Sequence, residues 1–119
     1  NEMPIYVAER ALSLAKKSSR TQKVLIMGVA YKPGVGDVRE TPASALREAL
    51  VAKGAEVAWV DPLVPLWAGT EPVDESWDCD VVIVATNQPG LDVKSLLARG
   101  IPVLDCTNNY GELAGVELL

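Results

Sequence analysis

Val24-Leu25-Ile26-Met27-Gly28-Val29-Ala30-Tyr31-Lys32-Pro33-Gly34-Val35-Gly36-Asp37-Val38-Arg39-Glu40-Thr41-Pro42 is the stretch on which the fold turns. Its first half is a short, nearly all-apolar run rich in β-branched residues and closed by glycine, the pattern of a buried parallel strand. Its second half carries three breakers (Pro33, Gly34, Gly36) and four charges (Lys32, Asp37, Arg39, Glu40), and then a helix start. Thr41 is placed to cap that helix, with Pro42 at the first helical position, where a missing N–H costs nothing. A strand therefore delivers a charged loop to the mouth of a helix. In an open α/β sheet, ligands bind at the carboxyl ends of the strands.

Working outward, Ala45, Leu46, Ala49 and Leu50 give the helix after Pro42 an apolar face, and Gly54 stops it. Glu56 to Val60 reads as a second strand closed by Asp61-Pro62, completing a βαβ unit. Asp80 to Thr86 is apolar on both faces and so central. Asn87-Gln88-Pro89-Gly90 follows as a loop, then a helix from Asp92 to about Arg99, stopped by Gly100. Ile101 to Asp105 reads as the last strand. Leu63 to Asp78, with two prolines and Gly69, reads as a short helical turn, a loop and an edge strand near Glu71 to Val73. Upstream, Pro4 to about Lys17 places Ile5, Ala8, Leu12 and Ala15 at helical spacing, flanked by Val7, Ala11 and Leu14, with Lys16 and Lys17 suiting the C-terminal dipole. The alternation predicts an α/β fold: a three-layer, doubly wound, mostly parallel sheet of Rossmann-like type with a leading N-terminal helix.

The chain has 119 residues, 49% of them apolar and 23% charged, which suits one globular domain. Its net charge of -5 argues against general nucleic-acid binding, though not against a local cationic pocket for one small anion. No apolar run approaches the roughly 20 residues that span a bilayer, and no signal peptide is visible, so the expected location is cytoplasmic. With no histidine, imidazole chemistry cannot be run by this chain alone. Cys79 and Cys106 fall at opposite sheet edges, about 15–20 Å apart at roughly 3.3 Å per residue, too far for a disulfide and so expected as free thiols.

Four chemistries are open to these residue types. A dinucleotide site needs G-x-G-x-x-G at the strand-to-helix turn; here Gly28 is followed by Ala30 and the third glycine is displaced, although Asp61 stands where an acid would take ribose hydroxyls. Nucleophilic catalysis by Cys106 lacks a base partner, and the spacing of Asp37, Glu40, Asp61 and Asp105 matches no metal loop. The fourth is an anion site made by Lys32, Arg39, backbone N–H groups and the helix starting at Pro42. Residue types alone leave open whether Lys32 and Arg39 are instead tied up by Asp37 and Glu40.

The motif residues resemble a known family. Gly28-Val29-Ala30-Tyr31-Lys32-Pro33, Asp37-Val38-Arg39-Glu40-Thr41-Pro42, Gly54-Ala55-Glu56-Val57 and Asp61-Pro62 are similar to the C-terminal domain of the UDP-glucose/GDP-mannose dehydrogenases, whose signature G-[LV]-A-[YF]-K-x(4)-D-x-R-E-[ST]-P is matched at every fixed position. Asn1 to Pro4 resembles the segment leading out of that family's central domain. The resemblance implies that residues 1–20 end a linker helix from a missing central domain and that 21–119 form the nucleotide-sugar-binding domain. It implies an enzyme that oxidises a sugar C6 alcohol to a carboxylate in two NAD-dependent steps, with NAD bound by a missing N-terminal domain. A missing central domain would make a homodimer. No catalytic residue is implied here, since Cys79 and Cys106 match no family cysteine. Tyr31, Lys32 and Arg39 are implied to contact the UDP-sugar, and Asp37 and Glu40 to order the loop. The Gly-Val-Ala-Tyr-Lys and Asp-Pro-Leu-Val-Pro variants look more like the UDP-N-acetylhexosamine branch.

Two departures stand out. The family usually has an acid and then a histidine or aromatic after the threonine at Thr86, where this chain has Asn87-Gln88. It also usually has D-x-R-N after the strand ending at Asp105, and here Thr107 takes the arginine's place. Losing that charge-assisted contact costs about 1.5–3 kcal/mol, roughly ten- to a hundredfold in affinity. An unusual substrate remains open, and so does a non-catalytic assembly or regulatory module with an eroded ligand site.

Overall fold

A computed structural model describes residues 2–15 and 20–119. Eight elements follow in order: α1 (Met3–Leu14), β1 (Lys23–Met27), α2 (Pro42–Ala52), β2 (Glu56–Val60), β3 (Val81–Val84), α3 (Val93–Ala98), β4 (Val103–Asp105) and β5 (Val116–Leu118). The strands form one sheet in the order β2-β1-β3-β4-β5, and every adjacent pair is parallel. The order reverses between β1 and β3, so the crevice expected of such sheets opens beyond the carboxyl ends of those two strands.

Alternation along each strand builds two cores. Val24, Ile26, Val81, Ile83 and Leu104 face one side, where they meet Val7, Ala8 and Ala11 of α1 and Leu46 and Leu50 of α2. Leu25, Met27, Val82, Val84 and Val103 face the other, where they meet Val93 and Leu96 of α3. β1 and β3 are covered on both faces, which is why their sequences run apolar without alternation. The caps act as their residue types dictate: Thr41 accepts the Ala43 N–H, and Asp92 accepts the Ser95 N–H.

Three expectations need correction. The leading helix buries Ala8 and Ala15, with Val7 and Ala11 beside them, as its spacing predicts, but Ile5, expected on the same stripe, is half exposed. The buried arc centres on Ala8 and Ala11, and at roughly 100° per residue Ile5 falls at its edge. Its expected closing residues, Lys16 and Lys17, and Asn1 of the family-like segment, lie outside the described residues. Between β2 and β3 neither a helical turn nor an edge strand forms. The segment instead folds back as a loop, with Trp67 bridged to Thr70 and the Val73 N–H donated to the Trp59 carbonyl. Trp67 meets Trp59 edge to face at 5.7 Å, and the Trp59 indole N–H donates to Thr70 Oγ1 at 3.0 Å. Lastly, β4 is not the final strand. The short, exposed β5 pairs along its outer edge, too brief to show a period of two in sequence.

Candidate functional site

Gly28 turns the chain out of β1. Its φ is +80°, and a Cβ there would stand 1.8 Å from the Thr86 carbonyl oxygen, so the backbone after β3 passes where any other residue would need space. The next two residues, Val29 and Ala30, are fully buried, and both donate their N–H to Asp61 Oδ2, at 2.8 and 3.2 Å. The Thr86 hydroxyl donates to the Ala30 carbonyl at 2.7 Å. The chain then leaves the core as a lasso, closed by the Tyr31 N–H donating to the Asp37 carbonyl at 2.7 Å.

Three separate depressions meet at Tyr31. A cleft of ≈ 260 Å³ runs from Tyr31, Lys32 and Pro33 past Ala85, Thr86 and Asn87 to Cys106, Thr107 and Asn109, across the reversal point of the sheet. A second depression holds Arg39 and Glu40 with Asp37. The third, apolar, is lined by Met3, Pro4, Val7, Pro42, Leu46 and Leu119 among others. The composite anion site expected of Lys32, Arg39 and the helix beginning at Pro42 is thus divided among three places, with Tyr31 the residue common to all.

The open question of charge pairing resolves differently for each cation. Arg39 grips its neighbour: Nε and Nη2 donate to the two Asp37 carboxylate oxygens at 3.0 and 2.8 Å, and the Arg39 backbone N–H adds a third bond at 2.9 Å. Those bonds hold the Asp37 carboxyl down at about 2. Glu40, exposed and at φ 54°, makes no ion pair among the described residues. Lys32 is exposed, its ammonium has no ion pair among the described residues, and no acidic residue lines its cleft.

Asp61 and Asp105 are committed internally, and no group of three or more His, Cys, Asp or Glu able to hold a metal ion occurs among the described residues. Asp61 is 2% exposed. Besides the two amides on Oδ2, it takes the Leu63 N–H on Oδ1 at 2.9 Å and the Gln88 carboxamide on both oxygens. It has no lone pair to offer a ribose, and with Ala30 in place of the second fingerprint glycine the chain does not fit NAD. Asp105 accepts four donors from its own loop, Thr107 N and Oγ1, Asn109 N and Tyr110 N, at 2.6 to 2.9 Å. Burial pushes the Asp105 carboxyl up, but these hydrogen bonds outweigh it and hold it below the usual range. Tyr110 O–H donates to Asn87, tying the loop after β4 to the loop after β3.

Cys79 and Cys106 are both free, and burial pushes each thiol up to about 11. Cys106 therefore sits in the cleft protonated at neutral pH. Asn87, Thr107 and Asn109 complete the cleft without having been picked as site residues. Their signal in sequence was position, just beyond the carboxyl ends of β3 and β4, rather than residue type.

Residues 25–112 match the model of the UDP-glucose/GDP-mannose dehydrogenase family, UDP binding domain. The chain belongs to this family. It is similar to a UDP-N-acetyl-D-mannosamine dehydrogenase of Methanocaldococcus jannaschii, 39% identical over 61 residues that cover 51% of this chain and 14% of the relative. An enzyme of the same name from Methanococcus maripaludis is 36% identical over 89 residues, 70% of this chain and 21% of the relative. The chain thus spans about a fifth or less of these curated relatives. Among solved structures, a UDP-D-ManNAc dehydrogenase from Pyrococcus horikoshii superposes on 98% of this chain and 30% of its own, with a TM-score of 0.75 and 26% identity.

Proposed function

We propose that this domain holds the UDP end of a nucleotide sugar in the cleft between the loops after β1, β3 and β4, as the substrate-binding part of an NAD-dependent UDP-sugar 6-dehydrogenase. The observation that carries the reading is Lys32, an ammonium with no ion pair among the described residues in a cleft lined by neutral hydroxyl and amide groups and no acid. An ammonium is a flexible three-donor point charge, suited to a diphosphate. Tyr31 contributes an exposed ring at the rim, and Asp37 with Arg39 stiffens the far end of the lasso. Arg39 contacts ligand from the neighbouring depression, if the ligand reaches past Tyr31, and Glu40 orders the entry to α2. Oxidation of C6, NAD binding and dimer formation fall to parts of the enzyme outside this chain. The names of the most similar relatives favour a UDP-N-acetylhexosamine as the sugar. The location proposed for the enzyme is the cytoplasm; no helix among the described residues is long and apolar enough to cross a membrane.

Titration calorimetry with UDP, GDP and NAD tests the proposal. UDP gives heat, NAD gives none, and Lys32→Ala weakens UDP about ten- to a hundredfold, the worth of one charge-assisted contact. Silence with UDP, or equal affinity in Lys32→Ala, overturns it. One observation favours a second reading, a non-catalytic module: Thr107, at the family's arginine position, turns its hydroxyl to Asp105 at 2.6 Å. That reading predicts silence with all three nucleotides.

A further inference from the structure

Gln88 is 2% exposed, and its carboxamide is used to the full. Nε2 donates to the Val35 carbonyl at 2.7 Å and to the Asp61 carboxylate at 3.1 and 3.2 Å, while Oε1 accepts the Gly34 N–H at 2.8 Å. The orientation is forced. A flipped amide would turn its oxygen to a carboxylate and a carbonyl, and its N–H groups to an N–H. Within the lasso closed by Tyr31 and Asp37, these are the hydrogen bonds that reach the interior residues 32–36 among the described residues. Gln88 also sits one residue past Asn87, which lines the opposite wall of the Lys32 cleft. Through Asp61 it connects to the amides of Val29 and Ala30, so one side chain fixes the two walls relative to each other.

We infer that Gln88 is the positioning residue of this site: it holds the Lys32 loop at the distance from the Thr86-Asn87 wall at which the ammonium meets the ligand's phosphate oxygens. The inference rests on the reading of the cleft as a diphosphate site. Without the carboxamide Val35 packing remains, but residues 32–36 lose their polar ties, the Tyr31–Asp37 closure opens more often, and Lys32 then samples positions outside the cleft. Apparent affinity falls by the fraction of time the loop is in place, so a tenth in place means about a tenfold loss.

The experiment is a double-mutant cycle on UDP binding, with wild type, Gln88→Leu, Lys32→Ala and the double variant, each measured well below its unfolding midpoint. Gln88→Leu weakens UDP about tenfold in the wild-type background and less than about twofold in the Lys32→Ala background, because it acts through Lys32. The same factor in both backgrounds, or a change under twofold in the first, overturns the inference. A second readout needs no ligand: exchange of the Tyr31 amide, which Gln88 does not touch, quickens in Gln88→Leu. If wild type fails to bind UDP while that exchange quickens, the diphosphate reading falls and the loop-holding role stands. If the exchange is unchanged, the inference falls on its own. Should Gln88→Leu not fold, Gln88→Asn, one methylene short of Gly34, replaces it in every arm.

Discussion

Replacing Asp61 by asparagine tests the internal frame of the site more directly than any change in the cleft. The carboxylate accepts from three backbone N–H groups and one carboxamide while almost wholly buried. An asparagine there can accept on one side only. With its oxygen kept toward Val29 and Ala30, its NH2 faces the Leu63 N–H, donor against donor, and also meets the Gln88 Nε2. With the amide reversed, two fully buried amides lose their acceptor, which is worse. The first arrangement forfeits one hydrogen bond to a charged group and leaves a half-buried donor unpaired. Each is worth about 1–3 kcal/mol, and the two overlap, so a loss of about 2–4 kcal/mol is expected. A domain of this size has about 5–15 kcal/mol in total, so the variant folds but is visibly weakened. In urea, with a slope of about 2 kcal/mol/M, the unfolding midpoint drops by about 1–2 M. The Asp61→Asn and Gln88→Leu changes should also couple by more than about 0.5 kcal/mol, since they share hydrogen bonds. A loss below about 1 kcal/mol, or strict additivity, would refute the view that this carboxylate is the common anchor of the three loops.

Other consequences are equally concrete. Gly28→Ala forces a left-handed residue against the Thr86 carbonyl and should cost several times more than Gly54→Ala, which has a similar positive φ but nothing within 4 Å of its Cβ; equal urea midpoints would be contrary to the clash argument. For Asp37 the folded carboxyl is held at about 2, below its ordinary 3.8, so the pair with Arg39 contributes fully above the ordinary value and is lost as pH falls through about 2. The carboxyl carbon of Asp37, followed by NMR, should titrate near 2 in wild type and return toward 3.8 in Arg39→Ala; a midpoint already near 3.8 in wild type breaks the prediction. Thr107→Arg restores a cation opposite Lys32 and should tighten UDP by up to about tenfold, less the lost hydroxyl bond to Asp105; weaker binding by calorimetry would show that this position does not face the diphosphate.

The sheet, the order of its elements and the charged lasso were legible because their determinants are local. A both-faces-buried strand, a threonine-proline helix start and a glycine stop each declare themselves within a few residues. What the sequence hid depends on partners far along the chain. Asp61 looked like a ribose acceptor because it ends β2, and nothing near it says that amides 31 and 32 residues earlier consume it. Gln88 stood out only as a departure from the family pattern; its role appears once Gly34 and Val35 are brought beside it from 54 and 53 residues away. Ile5 of α1 fell outside the buried arc it was expected to join for the same reason, since the width of that arc depends on the surface it meets. β5 was missed because three residues, two of them exposed, carry no period.

The electrostatic logic of the cleft follows from where the acids go. The chain carries five more acids than bases, and three aspartates lie in the loops around the strands' carboxyl ends, so an attractive site for a diphosphate is not what its charge would produce by default. Each of those carboxylates is supplied with donors from its own surroundings: Asp37 by Arg39, Asp61 by three backbone amides and Gln88, Asp105 by the Thr107 hydroxyl and three backbone amides. Amide donors offset a carboxylate over a few ångströms as the positive end of a dipole does, and they place its charge beneath the loop rather than in the cleft. Lys32, lacking such a partner, keeps its field for whatever enters. Asp37, Asp61 and Asp105, which add to the chain's negative charge, are thus also the scaffold beside a cleft in which Lys32 has no ion pair among the described residues.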